Sequence, residues 1–336
     1  MEGAPLTEAA VQTFELTRRF GPVTAVDRLD LAIGRGEIFG LLGPNGAGKT
    51  TTLSMLATLL PPTSGSAVVA GHDISTGKDA VRRAIGLVFQ DPSTDEELTA
   101  WENMDFHGRL YGVPRAKRWK RIPELLDMVE LGDRTRHRVK TFSGGMKRRL
   151  EIARGFLHHP KVLFLDEPTT GLDPQTRRRI WDHILEINRS RSLTILLTTH
   201  SMEEADALCS RIAIMDHGSV IAMGTPAELK DDLGGDVVSI TVADGTDPVE
   251  SIFDDKPWVR TVRSRDGQVD LTVRGGEDHI PQILRLLESA GIEARSLTLK
   301  KPTLEDVFIH HTGRGIRDSE ADTVERMRQR RRAFSR

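Results

Sequence analysis

Apolar residues come in three patterns along this chain, and each pattern predicts a kind of element. From Val11 to Ile33 they alternate with polar ones, through Phe14, Leu16, Leu29, Leu31 and Ile33, and Gly34-Arg35-Gly36 closes the stretch as a turn. Alternation of that kind predicts an antiparallel ribbon. Ile38 to Leu42 is continuously apolar and reads as a buried strand, and Lys49 to Leu60 reads as a helix stopped by Pro61 and Pro62. Further strands are expected at Ala67 to Ala70, at Ile85 to Phe89 (ending at Gln90), at Val162 to Leu165 and at Leu193 to Leu197. Ile212 to Met215 and Val220 to Met223 flank a hairpin turn, Asp216-His217-Gly218-Ser219. Between Asp91 and Thr141 the spacing turns helical, through Trp101, Met104, Phe106, Leu110, Ile122, Leu125, Leu126 and Val129. A helical insert, about residues 91–160, therefore interrupts the sheet.

The chemistry lies at the ends of these strands. Gly43-Pro44-Asn45-Gly46-Ala47-Gly48-Lys49-Thr50-Thr51 matches the phosphate-binding loop at every specified position, between a strand and a helix as the motif requires. Its glycines turn N–H groups onto phosphate oxygens, Lys49 neutralises the outer phosphates, and Thr50 offers a hydroxyl to Mg²⁺. A nucleoside triphosphate is the expected ligand. Ser143-Gly144-Gly145 opens a second helix whose N-terminus suits an anion. Val162 to Leu165 runs into Asp166 and Glu167, adjacent carboxylates that are costly at a buried strand end unless a cation or proton is shared. Asp166 suits Mg²⁺, and Glu167 suits polarising water for attack on a γ-phosphate. Gln90 and His200 end strands at the same sheet edge. Ser201 and Glu204 read as a capping box without function. Phe20, beside Gly21 at the bend of the ribbon, is either a platform for a purine ring or core packing.

Taken in order and spacing, the loop at Gly43 to Thr51, Gln90, Ser143-Gly144-Gly145, Asp166-Glu167, Asp173 and His200 resemble the ATP-binding cassette ATPases of ABC transporters, over about Val11 to Leu229. The resemblance implies an α/β fold with a mixed sheet core, an antiparallel β subdomain and a helical insert. It further implies a head-to-tail homodimer that sandwiches two ATP molecules. Lys49 and Thr50 would hold phosphate and Mg²⁺, with Gln90 and Asp166 at the metal, and Gln90 would sense the γ-phosphate. Glu167 would be the catalytic base and His200 would pin the γ-phosphate. Ser143, Gly144 and Gly145 would reach across the interface, which Asp173 shapes. The usual signature Leu-Ser-Gly-Gly-Gln here has Phe142 and Met146 at its ends, and the usual stacking Tyr is Phe20. Phe142 to Glu151, Thr199 to Ala205 and Pro302 to Phe308 resemble the daunorubicin-resistance type of exporter ATPase, which runs with a separate ABC-2 type membrane subunit. Related ATPases of polysaccharide, lipid and ion exporters share these phrases. A ribosome-associated or chromosome-maintenance ATPase is disfavoured by the single cassette and the absence of a long heptad coil.

After residues 231–235 a second unit, 236–312, is expected in the order β-α-β-β-α-β, with strands at Val237 to Val242, Trp258 to Val262, Val269 to Val273 and Leu297 to Leu299. Its helices fall near Val249 to Phe253 and Ile280 to Leu287, and Leu304 to His310 closes it. That order resembles a ferredoxin-like α+β module, and nothing in it reads as catalytic. With 336 residues and one cysteine, Cys209, the chain forms no intrachain disulfide and offers no cysteine-rich zinc site. Cys209 reads as apolar filler. The formal charge of -2 excludes a globally basic nucleic-acid binder. No apolar run approaches the ~20 residues of a membrane helix, and the polar stretch Met1 to Gln12 carries no secretory signal pattern; the cytoplasmic face of a membrane is the place the resemblance implies. The Arg-rich tail, 313–336, reads as disordered, with contact to anionic lipid headgroups as the alternative.

Overall fold

The computed structural model describes residues 9–312 apart from 92, 243–251, 254 and 266–267. The N-terminal residues 1–8 and the Arg-rich tail lie outside the described residues. Two compact units emerge, with Gly224 opening the second.

In the first unit, β1 (Ala9–Phe20) and β2 (Val23–Gly34) form the expected ribbon, extended by β4 (Ser64–Val69) and β5 (His72–Asp73) into the sheet β2-β1-β4-β5. A second sheet has the order β10-β9-β3-β8-β7-β6, from β3 (Ile38–Leu42), β6 (Ile85–Val88), β7 (Val162–Asp166), β8 (Thr194–Thr199), β9 (Arg211–Asp216) and β10 (Ser219–Gly224). The strands β9, β3, β8, β7 and β6 run parallel. Their continuous apolar runs follow from burial on both faces: Phe39, Leu41, Phe164 and Leu196 are fully buried in one core with Leu53 and Leu56. All five parallel strands present their carboxyl ends at one edge, where ligands collect in open α/β sheets.

Helix α1 (Lys49–Leu56) is shorter than the sequence predicts. The prolines do not stop it; Thr58 already takes φ 62°, and the N–H groups of Leu59 and Leu60 return to the Ser54 carbonyl. A left-handed residue ends a helix in this way. After α2 (Lys78–Ala84) and β6, the helical insert consists of α3 (Ala100–Leu110), α4 (Arg115–Met128) and α5 (Gly144–Gly155). Then α6 (Pro174–Arg191) and α7 (Met202–Leu208) flank β8. Cys209 is buried, and a Cβ on Gly40 would stand 2.6 Å from its Sγ, so it fills the gap the glycine leaves.

The second unit begins with α8 (Pro226–Asp231), in residues that the sequence reading places before the boundary, and this helix packs against α10 (Leu304–Thr312). Its sheet, β12-β13-β11-β14, is antiparallel throughout, built from β11 (Asp236–Val242), β12 (Val259–Arg265), β13 (Gln268–Val273) and β14 (Ala294–Lys300). Taking β11 as first, the order is 2-3-1-4. Helix α9 (Gly276–Ser289) packs on it through Ile283 and Leu287, against Val238, Ile240, Val269 and Leu271. The helix expected near Val249 lies largely outside the described residues.

Candidate active site

The loop from Gly43 to Thr51 leaves β3 and enters α1, and its shape depends on glycine. Gly46 and Gly48 take φ of 86° and 104°. A Cβ on Gly48 would stand 2.4 Å from the Ala25 carbonyl oxygen, and one on Gly43 2.2 Å from that of Met215. Only residues without a Cβ let the loop lie this close to its neighbours. Gly48 caps α1 without a side chain, so the first-turn N–H groups face the loop, an arrangement that holds phosphate. Pro44 and Ala47 are buried beneath it, while Asn45, Gly46 and Thr50 are exposed and Thr51 is half-buried. Lys49 is buried; its Nζ donates to the carbonyls of Gly43 (2.7 Å) and Pro44 (3.1 Å) and stands 3.5 Å from Glu167 Oε1.

Asp166 ends β7 opposite Thr198 of β8, and its Oδ1 accepts from Thr198 Oγ1 (2.5 Å) and Thr50 Oγ1 (3.1 Å). These donors are all oxygen, which suits Mg²⁺; that ion takes one or two protein oxygens and completes its shell with phosphate and water. The described residues hold no group of three or more His, Cys, Asp or Glu that could bind a metal unaided. Glu167 follows with φ 46°, left-handed and uncommon for a residue with a long side chain. Its N–H donates to the carbonyl oxygen and to Oγ1 of Thr198, both at 3.1 Å. Its Oε2 lies 2.8 Å from His200 Nδ1 and accepts from Thr170 Oγ1 at 2.8 Å. Burial raises the pKa of Glu167, but the hydrogen bonds from His200 and Thr170 and the nearby Lys49 ammonium outweigh it and bring it to about 2. The group is therefore a firmly held carboxylate.

Lys49, Thr50, Asp166, Glu167 and His200 thus meet at one sheet edge. The remaining candidates stand apart from them. Gln90 is exposed just beyond β6, which stops at Val88 rather than Phe89, and it makes no hydrogen bond to Thr50 or Asp166. Ser143 caps α5, its side chain accepting from Met146 N–H at 3.3 Å, and with Gly144 it faces solvent. Gly145 is buried: a Cβ there would meet Thr176 Cγ2 at 2.3 Å, so the glycine lets α5 lie close against α6. Asp173 is exposed and caps α6 through the N–H groups of Gln175 and Thr176. Phe20 is 46% exposed and so is not core, and the Arg18 guanidinium lies 4.6 Å from its ring centroid.

Three residues at this edge escape a reading by motif: Thr170, Thr198 and Arg148. Thr198 alone has a sequence signal, since it precedes His200 by two positions at a strand end. The capping box expected at Ser201 is half formed. Ser201 accepts from the Glu204 N–H, but the Glu204 carboxylate turns inward to Thr169 Oγ1 (2.6 Å) and Trp181 Nε1 (3.1 Å), since two buried donors need an acceptor there.

The family model for ABC transporters matches residues 26–170, and that for the C-terminal domain of DrrA1-3-like ATP-binding proteins matches residues 224–312. The chain is 40% identical to the daunorubicin resistance ATP-binding protein DrrA3 of Streptomyces coeruleorubidus, over 94% of this chain and 100% of the relative. It is 37% identical to the linearmycin resistance ATP-binding protein LnrL of Bacillus subtilis, over 92% and 100%. Among solved structures, cbiO1 of Clostridium perfringens, part of the ABC transporter complex cbiONQ, has a TM-score of 0.63 at 28% identity, covering 67% of this chain and 92% of that one. A dimeric, post-hydrolysis structure of the ATP-binding cassette MJ0796 with ADP and phosphate has a TM-score of 0.57 at 29% identity, covering 64% and 98%. With its loop, paired carboxylates and serine-capped helix in these positions, the chain belongs to the ATP-binding subunits of ABC transporters, and it is an ATPase of the drug-resistance and export kind.

Proposed function

We propose that this chain binds and hydrolyses ATP to power export of a hydrophobic drug or lipid-like compound through a separate ABC-2 type permease, at the cytoplasmic face of the membrane. Resistance to daunorubicin and linearmycin in the names of its relatives supports the substrate class. The observation that carries the chemistry is Glu167, fixed by Lys49, His200 and Thr170 at the mouth of the phosphate loop. Mg²⁺ bound by Thr50 and Asp166, with Gln90 completing the sensor, would neutralise phosphate charge. When Lys49 and His200 turn to phosphate oxygens, Glu167 loses two of the groups that lower its pKa, while burial still raises it. ATP thereby makes the carboxylate a better base. Glu167 then takes a proton from the attacking water, a new bond forms to the γ-phosphorus, and the bond to the bridging oxygen breaks to release ADP and phosphate.

Ser143 and Gly144 face solvent on a helix N-terminus that serves no group of their own site, which supports a head-to-tail homodimer in which they close over the partner's ATP, with Asp173 beside them. That the MJ0796 cassette is dimeric with ADP and phosphate bound supports a dimer here. A permease helix fits the groove of about 700 Å³ lined by Leu59, Phe89, Leu110 and Tyr111. Its wall residue Phe89 adjoins Gln90, and the lining residues Arg82, Arg83 and Arg154, against one acid, Asp79, suit an acidic helix end. The test is Glu167→Gln, in which ATP binding persists, hydrolysis falls by at least about 100-fold, and size-exclusion chromatography finds an ATP-trapped dimer. Unchanged hydrolysis would remove Glu167 from its role.

A further inference from the structure

The signature helix α5 carries a buried cation, Arg148, that nothing in the motif explains. Arg148 is 7% exposed, and its guanidinium reaches backbone carbonyls from two segments of the site. Nε donates to Pro168 O (2.7 Å), one terminal nitrogen donates to Asp166 O (2.9 Å) and Glu167 O (3.1 Å), and the other donates to Phe89 O and lies 3.2 Å from Glu151 Oε2. Phe89 immediately precedes Gln90. Five residues upstream, Ser143 caps the same helix.

We propose that Arg148 is a positioning residue that couples the two half-sites of one chain, locking the helix that meets the partner's ATP to the backbone that aims this chain's own Asp166, Glu167 and Gln90. The inference rests on the head-to-tail reading above. Glu167 is the reason the lock matters. Its φ of 46° is a conformation that persists only where the surroundings over-determine it. Thr198 holds the Glu167 N–H and Arg148 holds its carbonyl, so the peptide on each side is fixed. Movement of α5 on engaging a second nucleotide would pull directly on that carbonyl and on the one before Gln90. A planar five-donor fork can serve carbonyls from two strand ends at once, which an ammonium cannot. Glu151, which also accepts from Ser93 N–H at 2.5 Å, balances the buried charge.

The experiment is ATP titration of hydrolysis and of binding with the full chain and three variants: Arg148→Lys, the pair Arg148→Met with Glu151→Met, and Ser143→Arg. The paired variant removes both buried charges together, so that neither is left unpaired. For the two Arg148 variants the expected result is ATP affinity within about threefold of wild type. Turnover falls at least about tenfold, and a Hill coefficient between 1 and 2 drops to about 1, since two coupled sites set its upper limit. A merely structural role would lower melting temperature and folded fraction and leave the Hill coefficient unmoved; that result overturns the proposal. So does wild-type turnover in Arg148→Lys, or a wild-type Hill coefficient of 1. Ser143→Arg separates the two levels. If it stays active, the sandwich reading falls and the coupling with it; if it is dead while Arg148→Lys behaves as wild type, the coupling alone is wrong.

Discussion

Where the first unit buries Lys49, Arg148, Glu151, Asp166, Glu167 and Glu204, the unit from Gly224 to Gly315 buries only apolar side chains among its described residues, Val238, Ile240, Phe253, Val269, Leu271 and Ile283 in its sheet core. Buried charge is expensive unless each group is paired and hydrogen-bonded. In the first unit every one of these six has partners on another segment, Glu204 through Thr169 and Trp181, Arg148 through four carbonyls. Asp105, Arg118 and Arg121 of the helical insert are buried as well, so buried charge marks the first unit as a whole and not its candidate site alone. The sheets differ to match: parallel strands gather loops at one edge, while the antiparallel sheet of the second unit spreads its connections and carries small polar pairs such as Ser239–Asp270 and Thr261–Thr272. Substitutions in the first unit should therefore disturb turnover beyond their effect on folding, and those in the second should act through stability alone.

The strongest test of that division is Gly48→Ala. At φ 104°, with a backbone oxygen 2.4 Å from the new Cβ, the loop must shift as a whole. ATP affinity measured by fluorescent-nucleotide titration is expected to fall by at least about 100-fold, with no change in the calorimetric transition of the second unit. Next in size, Ile240→Ala opens the core of the second unit and should cost it about 2–5 kcal/mol. Turnover per folded chain should stay within about twofold of wild type. If turnover collapses while the first unit stays folded, the second unit is part of the machine and the comparison drawn above is wrong.

Much of the first unit was legible because its strands are buried on both faces and so announce themselves as apolar runs. Each run hands over to residues that act, Leu42 to the phosphate loop, Leu165 to Asp166 and Glu167, and Thr199 to His200. In the second unit β11 to β14 overlap the four expected strands, though β12 and β14 run longer than expected. What could not be read was set by contacts across distant segments. Glu204 sits three residues after a serine and looks like a cap partner, yet Thr169 and Trp181, 35 and 23 residues away, claim its carboxylate. Arg148 looks like one of a run of surface cations, and only the carbonyls of Phe89, Asp166, Glu167 and Pro168, far from it in sequence, hold it inward. Helix α1 gives way to a left-handed Thr58 that composition does not mark, ahead of the prolines that seemed to stop it.

A smaller effect sharpens the electrostatic half of the contrast. Glu167 titrates at about 2 in the folded chain against an ordinary 4.5. A depressed carboxylate contributes stability that is fully present above the unfolded value and is lost as pH falls through the folded one, here between about pH 4.5 and about 2. The linkage amounts to about 3 kcal/mol. Urea unfolding of wild type and Glu167→Gln should differ by that amount more at pH 7 than at pH 2. An equal difference at both would mean that His200, Thr170 and Lys49 do not stabilise the charge.

The smallest expected effect concerns Phe20, which belongs to the first unit but to its ribbon rather than its catalytic edge. Its ring is half open to solvent with Arg18 stacked on one side, so a flat, polarised face is prepared without being filled by core residues. Base–aromatic stacking is worth about 1–3 kcal/mol, so Phe20→Ala should weaken ATP binding about tenfold with turnover at saturation unchanged. Phe20→Tyr should match wild type, because stacking uses the ring and not a hydroxyl. GTP should suffer the same loss as ATP, since every base offers a π-face. A loss confined to turnover would mean that the ring acts on the catalytic edge instead, and the contrast between buried charge and exposed platform within the first unit would have to be redrawn.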